Sequence, residues 1–432
     1  MDRLTLDRRG LLSGLLAAAA AGAAAPSPGF ARAATRYAAL ESLIERSIAA
    51  DRVPGAIVAI VRPGRFRPDY VMAGRTARNG EGRPVAPDSL WRIYSMTKPV
   101  TGVATVEAVA RGAFTLDTPL GDLLPEYRSM RVLTDPAASL DSRPAEAPIR
   151  VRHLLTHTAG LSYHIAGNGP LEREYRRLGL LPIGNLGLLP TDGPQPDLDG
   201  FTRTLATLPL HGEPGTAWRY SVGLDLAGGL LQRVTGQSFD RLLAERLFRP
   251  LGMADTGFQV PAADLPRLAH LYAFLDPKTQ KPTETPQLVE TGAGSLWAKA
   301  PRLVAGGAGL VSSAADYARF AQMLLNEGLF EGRRILPAPA ARLAMSNLMP
   351  PGVFLEKMQG HGAGGRVTLF DTRGTRPDGT PAGQFGWGGA AGTLFHVDPL
   401  RQYAVVLMLQ YLPSQAFPMP AELQGALNAD LA

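Results

Sequence analysis

The pattern of apolar and polar residues near the start of the chain predicts a helix followed by two strands. Leucine and isoleucine recur at helical spacing between Thr35 and Ala50, which indicates an amphipathic helix. The apolar run Gly55–Val61 stops before Pro63-Gly64 and has the length of a buried strand. Tyr70–Ala73 follows soon after, and we expect it to pair with this strand as a hairpin.

The other end of the chain predicts a second hairpin and a closing helix. Thr393–Val397 and Tyr403–Leu409 are apolar runs divided by Asp398-Pro399, a dipeptide that favours a turn. Pro420–Leu431 has the spacing of a helix. Sheet-forming segments therefore lie at both ends of the chain.

The middle of the chain combines helical patterns with loops rich in glycine and proline, and residues 162–216 are its most loop-like part. These patterns predict an α/β (α+β) domain whose sheet is built from both ends of the chain, at about residues 34–100 and 300–432. A mainly helical region, at about residues 101–299, is inserted between the two parts of the sheet.

Composition narrows the functions that this fold can carry. The 432 residues include no cysteine, which excludes disulfides, a thiol nucleophile and thiolate metal sites. Lysine and arginine total 44 against 38 acidic residues, but the arginines are scattered along the chain. Because a nucleic-acid surface concentrates basic residues on one element or face, we expect no nucleic-acid partner.

Residues 1–33 have the features of an export signal. Arg8-Arg9 precede an Ala/Leu-rich run that continues to Ala25, and Ala31-Arg32-Ala33 offers a small-x-small cleavage site. The paired arginines are typical of a twin-arginine signal, and the run is too short and alanine-rich for a membrane span. We expect cleavage after Ala33, a mature domain at residues 34–432 with no stable membrane span, and a periplasmic or secreted location; an uncleaved anchor is the alternative.

A serine and a lysine carry the main chemical signal. The segment Trp91-Arg-Ile-Tyr-Ser95-Met-Thr-Lys98-Pro99 runs into a helical pattern that ends near Gly112. Since proline is tolerated only in the first turn of a helix, Pro99 predicts a helix start at about Ser95. Ser95 then lies at the positive end of the helix dipole, and Lys98 shares its face. A serine hydroxyl needs a partner that takes its proton, and a lysine whose neutral form is favoured by burial can be that partner.

Four further motifs follow this segment along the chain. They are His153-Leu-Leu-Thr-His157-Thr-Ala-Gly160-Leu161, Pro214-Gly-Thr-Ala-Trp-Arg-Tyr220-Ser221, Gly306-Gly-Ala-Gly-Leu-Val-Ser-Ser313 and Trp387-Gly388-Gly389. The set resembles the serine β-lactamase and penicillin-binding-protein-like family, particularly its class C-like esterase branch, the family VIII carboxylesterases. The resemblance implies a β-lactamase-like fold, with a central antiparallel sheet flanked by helices, and catalysis without a metal or organic cofactor.

The family's second motif, Tyr-x-Asn, reads Tyr220-Ser221-Val222 here, so the tyrosine is retained and the asparagine is absent. The resemblance implies that Tyr220 lies near the nucleophile and helps to move its proton. A phenol beside a cationic lysine can act as a base. The structural alternative is a core tyrosine whose hydroxyl is simply hydrogen-bonded.

The family's third motif is Lys-Thr-Gly in many β-lactamases, and Trp387-Gly388-Gly389 followed by Ala390 occupies its place. The resemblance implies an edge strand beside the acyl site, where the backbone N–H groups of Ala390 and Ser95 form an oxyanion hole. Gly388 and Gly389 allow the backbone to approach a substrate closely. Trp387 lacks the charge that binds a substrate carboxylate in β-lactamases, but it can pack against an acyl or alcohol group.

These residues together predict a carboxylesterase with a small-molecule ester or amide substrate. Ser95 is the predicted nucleophile, Lys98 and Tyr220 share its proton, and water releases the acyl group. The first alternative is a β-lactamase or D-amino-acid peptidase of the same fold. The second is a binding module that has kept the fold and lost the chemistry.

Two other patterns do not fit a cofactor site. His153 and His157 are spaced i and i+4, which can place two metal ligands on one helix face, but no third ligand is evident. Gly360-His-Gly362-Ala-Gly364-Gly365 matches G-x-G-x-x-G but precedes a strand-like run instead of a helix. We therefore expect neither a metal ion nor a dinucleotide.

Overall fold

The computed structural model of the protein describes residues 36–182, 195–276, 279, 281–356, 359–369 and 383–431. The chain divides into two units, Met1–Ala38 and Ala39–Ala432, and the first is described only at residues 36–38. The predicted export segment 1–33 therefore lies outside the described residues. Within the described part, no helix is both long and apolar enough to cross a membrane.

More of the described residues lie in helices than in strands. The α-helices are α1 Ala38–Ala49, α2 Thr97–Ala110, α3 Leu120–Leu123, α4 Val151–Leu155, α5 Pro170–Arg177, α6 Leu198–Ala206, α7 Gly223–Thr235, α8 Phe239–Leu243, α9 Arg249–Leu251, α10 Ala314–Leu325, α11 Ala338–Ala344 and α12 Met419–Asp430. Short 3₁₀ turns occur at Tyr94–Met96, Pro125–Tyr127, Ala262–Arg267, Leu296–Ala298 and Ser414–Ala416, and a π-helical turn at Ala244–Phe248.

The strands form one large sheet and several small ones. They are β1 Gly55–Val61, β2 Asp69–Gly74, β3 Leu90–Arg92, β4 Arg131–Leu133, β5 Ser142–Pro144, β6 Leu271–Leu275, β7 Pro282–Glu290, β8 Val311–Ser313, β9 Leu329–Phe330, β10 Arg333–Arg334, β11 Gln359–His361, β12 Arg366–Thr368, β13 Phe385–Gly388, β14 Leu394–Asp398, β15 Tyr403–Met408 and β16 Tyr411–Leu412.

The large sheet has seven strands in the order β11-β12-β13-β14-β15-β1-β2, and every neighbouring pair is antiparallel. Strands β1 and β15 are buried along their whole length, which is why both are nearly continuous apolar runs. This sheet draws on both ends of the chain, and the structure confirms the predicted fold class.

Helices cover both faces of this sheet. Helix α10 packs on β1, β14 and β15, where Tyr317 and Phe320 contact Phe395 of β14. Because successive side chains of a strand point to opposite faces, His396 points away from α10. His396 lines a cavity of about 160 Å³ together with Gln424 and other residues of α12, so α12 lies over β12–β14 on the second face.

The elements predicted at both ends of the chain are confirmed. The predicted strand Gly55–Val61 has the observed limits, and its partner extends over Asp69–Gly74. The second hairpin and the closing helix begin and end within one residue of their predicted positions. Helix α1 begins three residues later than predicted.

The prediction of a loop over residues 162–216 is wrong in two places, because helices α5 and α6 lie there. Helix α5 reads PLEREYRR, and its buried residues Leu171, Glu172 and Tyr175 lie on one face. Apart from Pro170, only Leu171 and Tyr175 are apolar or aromatic, which is too few to mark a helix in the sequence. Helix α6 is capped by Asp197, whose carboxylate accepts the N–H of Gly200. The inserted region also holds strands β4 to β7, besides its helices.

Candidate active site

Ser95 lies in the 3₁₀ turn Tyr94–Met96, between strand β3 and helix α2. Pro99 is the third residue of α2, where its missing N–H leaves no hydrogen bond unmade. The preceding residue, Tyr94, is fully buried and has a φ of +41°, a conformation that is unfavourable for a side chain of this size. Tight packing therefore holds the turn that presents Ser95.

The structure brings Ser95, Lys98 and Tyr220 into direct contact. Ser95 Oγ lies 2.8 Å from Tyr220 Oη, and Lys98 Nζ donates to Ser95 Oγ over 3.2 Å. Lys98 Nζ also lies 4.7 Å from the centroid of the Tyr220 ring. The serine hydroxyl therefore has two neighbours that can exchange a proton with it.

Lys98 is completely buried, and backbone groups complete its surroundings. Its Nζ donates to the carbonyl oxygen of Gly307 over 2.8 Å. The N–H of the same glycine donates to the carboxylate of Asp225 over 2.7 Å. The Gly306–Ser313 motif thus supplies a backbone contact to the lysine, and α7 supplies a buried acidic residue beside it.

Tyr220 is held by the segment that follows α4. The N–H of Arg219 donates to the carbonyl oxygen of His157 over 2.9 Å. The Arg219 guanidinium forms an ion pair of 2.9 Å with the buried carboxylate of Glu172 on α5. These contacts on the residue before Tyr220 fix the direction in which the tyrosine leaves the backbone.

Val222 occupies the position at which the Tyr-x-Asn motif has its asparagine. Its side chain is fully buried, and its N–H donates to the carbonyl oxygen of Ser162 over 3.1 Å. Helix α7 begins at the next residue. Valine packs here without offering a polar group to Lys98 or to a substrate.

Four rings line the site next to Tyr220, and we call them the aromatic wall: Trp218, Trp387, His157 and His361. The Tyr220 ring centroid lies 4.8 Å from that of His157, 6.0 Å from that of Trp387 and 6.2 Å from that of Trp218. His361 joins the two sides of the wall, at 5.2 Å from His157 and 5.3 Å from Trp387.

Both histidines of the aromatic wall are uncharged at neutral pH. Burial, with His361 and Lys98 nearby, holds the pKa of His157 well below its ordinary value. Burial also lowers the pKa of His361 to about 4. The Nδ1 atom of His157 accepts the backbone N–H of Ser221 over 3.2 Å, so the ring carries its proton on Nε2.

The third predicted motif reaches the Ser95 turn through its backbone. A Cβ on Gly389 would lie 2.4 Å from the carbonyl oxygen of Ile93, so only glycine allows β13 to approach the Ser95 turn this closely. Gly388 ends β13, and the N–H of Gly389 donates to the carbonyl oxygen of Thr393 over 2.7 Å. Ala390 follows, half-buried, and its part in an oxyanion hole stays a prediction.

The two patterns that resemble cofactor sites have other roles in the fold. Helix α4 ends at Leu155, and His157 has a φ of +57°, so His153 and His157 do not share a helix face. His153 instead accepts the N–H of Arg150 at the start of α4. Among the residues that the structure describes, no group of three or more His, Cys, Asp or Glu could hold a metal ion. The glycine-rich run forms the turn between β11 and β12 and carries His361 to the site.

Known proteins share both the sequence and the fold of this chain. Residues 40–428 match the beta-lactamase family model. The chain is 32% identical to esterase EstB of Burkholderia gladioli over 87% of this chain and 91% of that protein. It is 29% identical to lovastatin esterase of Penicillium rubens over 91% and 97% of the two chains. A solved structure of EstCE1, a hydrolase with promiscuous acyltransferase activity, superposes with a TM-score of 0.69 at 25% identity, covering 91% of this chain and 98% of that one.

The chain belongs to the beta-lactamase family. It is a serine hydrolase of that family. Its departures from the β-lactamase motifs, Val222 and Trp387, both replace a polar side chain with an apolar one at the edge of the site.

Sequence reasoning missed several residues that shape the site of this beta-lactamase-family enzyme. Asp225 lies three residues beyond Val222, and a search for acidic residues one helical turn after the tyrosine motif would have found it. Trp218 lies within the motif that ends at Tyr220-Ser221, which gives it no role of its own. His157 lies in the His153–Leu161 motif and His361 in the glycine-rich run, and nothing local marks them as neighbours.

Proposed function

We propose that this serine hydrolase cleaves carboxylic esters through an acyl-enzyme formed on Ser95. The hydrogen-bonded set of Ser95, Lys98 and Tyr220 is the observation that carries the proposal, because it gives the hydroxyl two proton-exchanging neighbours. The relatives named as esterases support the choice of an ester substrate.

The reaction proceeds in two acyl transfers. Ser95 Oγ attacks the ester carbonyl carbon, and Tyr220 Oη, acting as the base beside the Lys98 ammonium, takes its proton. The carbon–oxygen bond to the alcohol then breaks, and the same proton returns to the departing alkoxide. Water repeats the attack on the acyl-enzyme and gives a proton to Tyr220. The bond between the acyl carbon and Ser95 Oγ then breaks, Tyr220 returns the proton to Ser95 Oγ, and the carboxylic acid departs. The N–H groups of Ser95 and Ala390 are proposed to hold the oxyanion in both steps.

The aromatic wall favours an ester over a β-lactam. Substrates of β-lactamases carry a carboxylate, which needs a positive partner, whereas Trp387 offers a neutral ring at the corresponding place. The lowered pKa of His361 makes it a neutral neighbour as well. An uncharged acyl or alcohol group can bury its surface against these rings without an unpaired charge.

The test of this proposal is the Ser95→Ala variant. We expect the hydrolysis of short-chain p-nitrophenyl esters to fall by at least about 10⁴-fold, since alanine has no oxygen with which to form the acyl-enzyme. Ser221→Ala is the matched control, because its hydroxyl contacts His157 and not the reacting group. A Ser95→Ala enzyme that kept its rate would overturn the proposal, and efficient turnover of nitrocefin by the wild type would favour a β-lactamase.

We also propose that the enzyme is exported through the twin-arginine route and works in the periplasm or outside the cell. The support is the order of charged, apolar and small residues in the segment 1–33. Fractionation of bacterial cells followed by N-terminal sequencing should find a mature chain beginning after Ala33. An intact chain retained in the cytoplasm would contradict the proposal.

A further inference from the structure

Asp225 is a buried carboxylate that the proposed reaction does not use. It lies in the first turn of α7, three residues beyond Val222, and has no exposed surface. Its Oδ1 accepts the N–H of Gly307 over 2.7 Å. Its Oδ2 is buried and has no hydrogen-bond partner among the described residues.

Asp225 and Lys98 contact opposite polar groups of the same glycine. Gly307 donates its N–H to Asp225 and accepts the Lys98 ammonium on its carbonyl oxygen. A Cβ at position 307 would lie 2.5 Å from Asp225 Oδ2, so only glycine lets the carboxylate approach the backbone this closely. The positions of Lys98 Nζ and the Asp225 carboxylate are therefore coupled through the backbone of Gly307.

The charges around Asp225 make Lys98 its counter-ion. Burial raises the pKa of Asp225 to about 6, and Lys98 on α2 opposes this rise. Tyr163, which precedes α5, also faces the carboxylate, and its own pKa is raised by burial and by Asp225. An uncompensated buried charge is costly, so the ammonium and the carboxylate each lower the cost of burying the other.

We propose that Asp225 is a positioning residue for the reaction on Ser95: it anchors Gly307 and supplies the negative charge that holds the Lys98 ammonium against Ser95 and Tyr220. This inference rests on the proposed ester hydrolysis at Ser95. It adds no chemical step, because Asp225 touches Lys98's backbone partner and not the reacting atoms.

The deciding experiment is the pH dependence of kcat/KM for an ester in wild type and Asp225→Asn. Asparagine has the same shape and keeps an oxygen for the Gly307 N–H, but it carries no charge. Wild-type kcat/KM should fall as the pH drops through about 6, the pKa at which Asp225 gains a proton. The variant should lack this acid limb, with kcat at pH 8 lowered at least about tenfold and KM nearly unchanged.

Asp316→Asn is the matched control. Asp316 is also nearly buried, its pKa is also raised to about 6 by burial, and it accepts the hydroxyl of Thr256. Asp316 lies on α10, and within the described part of the chain it has no hydrogen bond to Lys98 or Ser95. This variant should keep the acid limb of the wild-type profile.

The outcomes separate this inference from the proposed function. If Ser95→Ala is inactive while Asp225→Asn keeps the wild-type kcat and acid limb, the role of Asp225 is wrong and the esterase proposal stands. If Ser95→Ala remains active, the esterase proposal itself fails. Thermal unfolding checks that Asp225→Asn is folded. Should it not fold, Gly307→Ala takes its place, because its Cβ displaces the carboxylate from the backbone, and an unchanged kcat and acid limb would again overturn the inference.

Discussion

The two sides of the active site satisfy their polar atoms in opposite ways. On the catalytic side, Ser95, Lys98 and Tyr220 all have hydrogen-bond partners within 3.2 Å. On the aromatic wall, Nε1 of Trp218 and Nε2 of His157 are buried without a partner in the described part of the chain.

This difference separates chemistry from recognition. A network in which Ser95, Lys98 and Tyr220 are all hydrogen-bonded keeps its geometry while a proton moves within it, which is what acyl transfer requires. A buried donor left without a partner costs about 1–3 kcal/mol, so these donors lower the free energy of unfolding. The aromatic wall therefore does not stabilise the fold through hydrogen bonds of these ring nitrogens. We infer that the catalytic side determines the reaction class and the wall determines which substrate is accepted.

Removing the cation from the catalytic side should have the largest effect. Lys98→Met preserves the length of the side chain but neither donates to Ser95 nor balances Asp225. We expect kcat/KM for a p-nitrophenyl ester to fall by about 10³-fold, measured by steady-state kinetics on folded protein. Lys299→Met, at an exposed position, should stay within about twofold of the wild type. Wild-type activity in Lys98→Met would show that Tyr220 alone accepts the proton.

Adding a cation to the aromatic wall should have smaller effects, and these should be opposite for an uncharged ester and for nitrocefin. Trp387→Lys places an ammonium beside the rings of Tyr220 and His361. We expect KM for an uncharged ester to rise by about tenfold and the turnover of nitrocefin to increase, because a carboxylate then finds a positive partner. Trp387→Phe, which keeps a neutral ring, should change neither preference. If the lysine variant behaves like the phenylalanine variant, the wall does not select by charge.

Replacing a neutral histidine of the wall should affect stability more than chemistry. The pKa of His361 is lowered from 6.5 to about 4, so the folded state binds fewer protons than the unfolded state between these values. Its contribution to stability is full above pH 6.5 and is lost as the pH falls toward 4, by about 3 kcal/mol at most.

His361→Gln should therefore lose less stability than the wild type between pH 7 and pH 4.5, measured by urea unfolding. His396→Gln is the control outside the active site, because burial lowers the pKa of His396 to about 3. His396→Gln should reduce the pH dependence of the free energy of unfolding in the same way and leave KM for the ester unchanged. An unaltered slope in His361→Gln would mean that this histidine is charged in the folded protein.

The accuracy of the sequence predictions follows the range of the interactions behind them. Strand β1 was predicted to the residue because an unbroken apolar run between turn residues is a local signal. Helix α5 was missed because Leu171 and Tyr175 are its only large apolar or aromatic side chains, and tertiary contacts such as the ion pair between Glu172 and Arg219 help to hold it. The α/β class was predicted from the apolar patterns at both ends of the chain, whereas the β-lactamase-like form of the fold was predicted through resemblance to a family.

The sequence by itself determined the Ser95 and Lys98 pair, because a proline just inside a helix and a separation of three residues place both side chains on one face wherever the helix lies. Only the tertiary structure decided what surrounds that pair. Tyr220 comes from 125 positions beyond Ser95, and Gly307 from 209 positions beyond Lys98. Such neighbours meet because separate elements pack around one core, and no local pattern encodes which buried group will face which.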